Sequence, residues 1–146
     1  MKLDANYSGG MGARYRTEAS NGVDGRSRVP DGLDVAVASP LKADADPAAT
    51  NPEQLLALAW ATCLNGTAQV LVREQQRTHV RVEVELHPVV PGPGYAFHVD
   101  AFLSAEGMTD AEAQDLLERT HARCPVSKLI GGAATVHVHT EAFAAA

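Results

Sequence analysis

From Gln54 to Val72 the chain carries no charged side chain. A run of that length either spans a membrane or folds as a helix buried among other elements. Thr62, Asn65, Gly66, Thr67 and Gln69 interrupt it, and polar groups of that kind make a poor lipid-spanning segment. A buried helix is therefore expected. Its start is written in Asn51-Pro52-Glu53-Gln54. Asn51 can cap free backbone N–H groups, Pro52 suits the first helical position, and Gln54 can reach back in the manner of a capping box. These signals predict a central helix over 51–75. Leu56, Ala59, Trp60, Cys63, Thr67, Val70 and Leu71 keep the spacing of a core-facing stripe. Cys63 then falls mid-helix, on or beside a packed surface.

The remaining segments arrange themselves around that helix. A length of 146 residues predicts one domain, 1–146, too short for two well-filled cores. Residues 1–38 read as a meander of short strands, with turns at Asn21-Gly22 and Pro30-Asp31-Gly32. Leu33, Val35 and Val37 alternate there with Asp34, Ala36 and Ala38, and residues 39–50 form a polar connector. A strand pair is predicted over 79–104. Val80, Val82, Val84 and Leu86 make its core face on one side of Pro91-Gly92-Pro93-Gly94, and Phe97, Val99, Ala101 and Leu103 on the other. Thr109 and Glu112 open a second helix over 109–123, with Ala113, Leu116, Leu117 and Thr120 inward. Cys124-Pro125 ends it, since proline disfavours helix at the residue before it. A short segment over 126–131 leads to a final strand over 134–140. The fold class is α+β with mainly antiparallel sheet.

Composition narrows the function classes. Twelve Lys and Arg against eighteen Asp and Glu give a net charge of −6, which argues against a nucleic-acid partner. The opening MKLDANYSGG has no apolar signal core, so a cytoplasmic chain without a membrane anchor is expected. Six histidines are present. His137 and His139 share a strand face, yet no ligand cluster forms, and solvent-facing histidines are the simpler reading. No metal, nucleotide or other cofactor is expected, because neither a phosphate loop nor a Gly-rich fingerprint occurs. The two cysteines, Cys63 and Cys124, are too few for a disulfide scaffold or a four-thiolate zinc site. A pair in a reducing compartment is redox-active, metal-binding or merely buried. Cys63 in its apolar helix reads first as a small core residue and only second as a nucleophile, since burial raises the cost of ionising a thiol. Cys124, where a helix gives way to Pro125, can face a cavity.

The wording of the two cysteine segments narrows this choice. Thr50-Asn51-Pro52-Glu53-Gln54-Leu55-Leu56-Ala57, followed by Ala61-Thr62-Cys63, resembles the first-cysteine signature of the organic hydroperoxide resistance and osmotically inducible protein superfamily (Ohr/OsmC). Cys124-Pro125-Val126-Ser127-Lys128 resembles that superfamily's second signature, and Asp24-Gly25-Arg26 part of its N-terminal hairpin. The cysteines stand 61 positions apart (124 − 63), in the family's order and spacing. The resemblance implies antiparallel sheets wrapped around a central apolar helix in an intertwined homodimer, with the active site at the subunit boundary. It also implies a thiol peroxidase acting on organic (alkyl or fatty-acyl) hydroperoxides. In that reading Cys63 attacks the O–O bond, Cys124 resolves the sulfenic acid as an intrachain disulfide, and a dithiol donor, a lipoyl protein, reduces it. Glu53 carries over as the carboxylate that orients an arginine against the thiolate. Ten positions separate Glu53 from Cys63 (63 − 53), about 15 Å of helical rise. An intermediary or the partner subunit must therefore join them.

The hairpin departs from the family's wording. The Ohr branch writes GGRDGR there, and its first arginine is the catalytic one; here Asn21-Gly22-Val23-Asp24-Gly25-Arg26 puts Val23 in that place. A thiol in an apolar pocket without a cation stays protonated. Arg26 is taken as the catalytic arginine by its motif position, with Arg14, Arg16, Arg28 and Lys42 as the other candidates. Three places separate Arg26 from Val23, which puts them on opposite faces of a regular strand. The missing arginine also keeps a second expectation open: a redox sensor or small-ligand binder on the same fold, with weak turnover or none.

Overall fold

The computed structural model describes residues 12–144, so the expectations that fall on residues 1–11, the start of the strand meander and the signal-free opening, lie outside it. The chain separates into two compact units, residues 1–51 and 52–146.

In the first unit, strands β1 (Ser20–Asn21), β2 (Arg26–Arg28) and β3 (Asp34–Ala36) form an antiparallel sheet in that order. Asn21 pairs with Ser27 in the ladder, so the first turn occupies Gly22–Gly25 rather than Asn21-Gly22. Gly25, at φ 73°, takes the left-handed conformation there, a region that glycine enters without steric cost. Val23 lies in this turn, fully exposed, so the alternation of strand faces does not relate it to Arg26. The second turn is as expected. Asp31 adopts φ 54°, and Gly32 N–H donates to the Val29 carbonyl at 3.0 Å.

In the second unit, α1 (Pro52–Leu71), β4 (Thr78–Pro88), β5 (Tyr95–Ala105), α2 (Asp110–Arg123), α3 (Pro125–Ile130) and β6 (Val136–Thr140) follow in sequence. The sheet order is β4-β5-β6. β4 and β5 pair antiparallel across eleven positions, from Thr78 opposite Ala105 to Pro88 opposite Tyr95. β6 pairs parallel to β5. Parallel neighbours need a long crossover, and α2 with α3 supplies it. The segment after Pro125 is thus a short helix rather than a mere link.

Thr109 caps α2 through a complete capping box. Its Oγ accepts from Glu112 N–H at 3.2 Å, and the Glu112 carboxylate accepts from Thr109 N–H at 2.8 Å. Ala113, Leu116, Leu117 and Thr120 are its buried residues, the face read from the sequence. On α1 the buried face differs from the expected stripe. Trp60, Leu64 and Ala68 are fully buried, whereas Ala59 is exposed and Val70 is 64% exposed. The cause is the helix's apolar circumference, which leaves periodicity little contrast between faces. Around Trp60, Leu64 and Ala68 gather Val80 of β4, Val99, Ala101, Leu103 and Ala105 of β5, Leu116 and Leu117 of α2, and Cys124. Among the described residues no helix is long and apolar enough to cross a membrane.

Candidate active site

Cys63 sits on α1 one turn after Trp60, and residues three apart on a helix are surface neighbours. Cys124 is where α2 gives way to α3. Its backbone is extended (φ −65°, ψ 123°), its N–H closes α2 on the Thr120 carbonyl at 2.9 Å, and its carbonyl accepts from Lys128 N–H at 2.9 Å. The rigid ring of Pro125 takes the first position of α3, where its missing N–H costs nothing. The Cys124 thiol caps this helix, its Sγ accepting from Ser127 N–H at 3.5 Å.

These placements bring the two cysteines together. The Cys124 thiol and the Val126 backbone N–H are both close enough to Cys63 to act on its thiol. Both cysteines are free thiols; Cys124 is fully buried and Cys63 half-buried. Burial pushes the Cys63 thiol above its ordinary value of 9.0, the Val126 N–H pulls it down, and the Cys124 thiol pushes it up again. No cation of the described 52–144 segment is among the groups acting on it. A second contact stands beside the sulfurs. Trp60 Nε1–H donates to Ser127 Oγ at 2.9 Å, with Trp60 fully buried and Ser127 2% exposed.

Glu53 stands in the first turn of α1, on the same helix as Cys63. The ten-residue separation measured along the sequence is therefore a true axial distance, and no direct contact joins the two. Its Oε2 is buried without a hydrogen-bond partner among the described residues. In the N-terminal unit, Arg26 Nε donates to Asp34 Oδ1 at 2.7 Å. Arg28 reaches Asp24 Oδ2 at 2.6 Å and Asp34 Oδ2 at 3.2 Å. Arg28 holds the Asp24 carboxyl below its ordinary range, as Arg26 does for Asp34. Both arginines of this hairpin thus already serve carboxylates. Arg14, Arg16 and Lys42 are exposed.

The strand histidines lie outside this cluster; His121 of α2 is half-buried, with Nδ1 buried and without a hydrogen-bond partner among the described residues, so the solvent-facing reading does not extend to it. His137 and His139 are exposed on β6, and His139 Nε2 is 2.7 Å from Asp100 Oδ1. His87 stacks on His98 with ring centroids 4.0 Å apart. Among the described residues no group of three or more His, Cys, Asp or Glu side chains is arranged to hold a metal ion. Sequence reasoning found Ser127 only as part of a signature and Trp60 only as a stripe residue. The available signal was that Trp60 with Cys63 and Cys124 with Ser127 repeat the same three-residue offset.

An α+β fold of two small sheets and three helices, with its two free cysteines in the second unit, has known relatives. Residues 43–139 match the family described as OsmC-like protein. The chain is 32% identical over 131 residues to the organic hydroperoxide resistance protein-like 1 of Staphylococcus saprophyticus, covering 84% of this chain and 92% of that protein. It is 33% identical over 103 residues to the organic hydroperoxide resistance protein OhrA of Bacillus subtilis, covering 68% of this chain and 73% of that one. The crystal structure of OhrB from the same organism superposes with a TM-score of 0.76 at 28% identity, covering 90% of this chain and all of that one. The chain belongs to the OsmC-like family, and its α+β fold is that of the Ohr/OsmC proteins.

Proposed function

We propose that this protein is a cysteine peroxidase that reduces organic hydroperoxides to alcohols. The observation that carries the reading is the meeting of two free thiols, Cys63 and Cys124, from positions far apart in the chain. The relatives' names supply the substrate class. Cys63 as thiolate attacks one peroxide oxygen; the O–O bond breaks, the alcohol leaves with a proton, and Cys63 becomes a sulfenic acid. The Cys124 thiol displaces the sulfenic hydroxyl as water and closes an intrachain disulfide. A dithiol of lipoyl type then takes up the oxidation by exchange, forming its own disulfide and returning both cysteines to thiols. The apolar residues Leu56 and Ala61, packed with Cys63 against the core, suit an alkyl peroxide better than hydrogen peroxide.

Arg26 is our assignment for the activating cation, and Glu53 for the carboxylate that orients it. The unpartnered buried Oε2 of Glu53 supports the second role, since such an oxygen gains from a charged donor. Asp34 engages Arg26 through Nε at 2.7 Å, and a guanidinium keeps further N–H donors beyond that one. A cytoplasmic homodimer belongs to this reading, with Leu58 of α1, 62% accessible, as the apolar side chain we assign to the partner copy.

Turnover of cumene hydroperoxide with dihydrolipoamide tests the assignment. It should run much faster than with a monothiol and disappear in Cys63→Ser; activity retained in that variant would refute it. The upward push on the Cys63 thiol favours a second reading, a redox sensor or small-ligand binder. That reading predicts one slow oxidation per chain and no turnover with any dithiol.

A further inference from the structure

Two pairs of residues face each other where α1 meets α3. Trp60 and Cys63 lie three apart on α1, and Cys124 and Ser127 lie three apart across the first turn of α3. The resulting contact has two rungs, one of sulfur between Cys63 and Cys124 and one polar between Trp60 Nε1 and Ser127 Oγ. The polar rung is unusual in its surroundings. Leu64, Val99, Leu103 and Leu116 make up the same core, and a donor and acceptor sunk among such groups each need the other to offset the water they have lost. The indole offers a single donor along a fixed line. At 2.9 Å that donor sets the separation of the two helices beside the sulfurs.

Cys124 needs such an anchor. Its backbone is held on both sides, by Thr120 and by Lys128, so its sulfur moves by side-chain rotation. The sulfur also has two tasks, capping Ser127 N–H and meeting Cys63. When it turns to form a disulfide it gives up part of the cap, and the first turn of α3 loses one of its ties.

We propose that the Trp60–Ser127 hydrogen bond positions Cys124 for resolution, keeping the first turn of α3 against α1 while the Cys124 sulfur leaves its cap to reach the Cys63 sulfenic acid. Trp60 and Ser127 are positioning residues in this scheme; neither touches the peroxide. The step they serve is balanced: Cys124–SH and Cys63–SOH give the disulfide and one water, with no further oxidant. This inference rests on the peroxidase reading and refines its second step.

Timed trapping separates the steps. Reduced protein is mixed with cumene hydroperoxide, quenched with dimedone, and its sulfenate adduct and its disulfide are resolved by intact mass. In Ser127→Ala and in Trp60→Phe the oxidation of Cys63 should keep its wild-type rate. The disulfide should form at least about tenfold more slowly, since displacement of a reacting group by an ångström costs up to about a hundredfold. The Cys63 adduct should accumulate accordingly. Ser127→Thr keeps a hydroxyl acceptor and should restore fast closure. Closure at the wild-type rate in both variants would overturn the proposal, as would equal slowing of both steps, which marks general loosening. Wild-type protein that forms neither sulfenate nor disulfide would overturn the peroxidase reading itself.

Discussion

The thiol of Cys63 is harder to ionise than a free cysteine because burial removes water from the thiolate, and the neighbouring Cys124 thiol adds to the effect. A raised value means that the folded protein holds this proton where the unfolded chain releases it. The associated stability is complete below the ordinary value of 9.0 and is lost as pH rises through the folded value. Alkylation of Cys63 by iodoacetamide should therefore still be accelerating at pH 9 in the reduced protein. A plateau near pH 6 would mean that a cation has already activated it. Ser127 carries a separate expectation. Its replacement by Ala leaves the buried indole N–H of Trp60 unpaired, which should cost about 1–3 kcal/mol in denaturant unfolding. At this scale the cysteine pair was legible in the sequence, because its two segments carry a specific wording at a fixed spacing. The tie between Trp60 and Ser127 was not, since helical periodicity describes one element at a time and says nothing of which residues meet across two. Arg26 was named from its motif alone, and its engagement by Asp34 depends on a strand register that the turn residues did not determine.

Legibility at the scale of elements followed contrast. α2 has charged residues on one side and Ala113, Leu116, Leu117 and Thr120 on the other, so its buried face and its capping box could be read directly. α1 has apolar residues nearly all round, and its buried line, Trp60, Leu64 and Ala68, sits partly beside the expected one. Paired substitutions make the point testable. Leu64→Ala, at a fully buried position, should cost about 2–5 kcal/mol by the transfer and cavity terms. Val70→Ala, on a side chain 64% exposed, should change stability by less than about 0.5 kcal/mol. Denaturant melts of the two proteins decide between the two faces. Removing the α2 cap by Thr109→Ala should cost about 1 kcal/mol, read in the same melts. The hairpin at Gly22–Gly25 and the parallel placement of β6 escaped the sequence for a common reason. Turn length and strand order depend on partners distant in the chain, whereas alternation reports only which residues face inward.

For the whole molecule, the α+β class was legible because alternating strands and capped helices are local signals that agree with one another. The family was legible because two signatures fell at the right separation. The proposed homodimer is tested at this scale, with Leu58, exposed on α1, as the side chain assigned to it. Sedimentation should give twice the mass of the 15.4 kDa chain, and Leu58→Glu should shift the protein toward monomer; a wild-type monomer at micromolar concentration would count against the homodimer. The central claim, that Cys63 reduces an organic hydroperoxide and Cys124 resolves it, is tested most directly in a single turnover. Fully reduced protein receives one equivalent of cumene hydroperoxide without added thiol, and the alcohol and the cross-linked cysteine peptides are quantified together. The account predicts one alcohol and one Cys63–Cys124 disulfide per chain, with neither in Cys63→Ser. Peroxide left intact beside two free thiols, or alcohol formed equally well by Cys63→Ser, would contradict it.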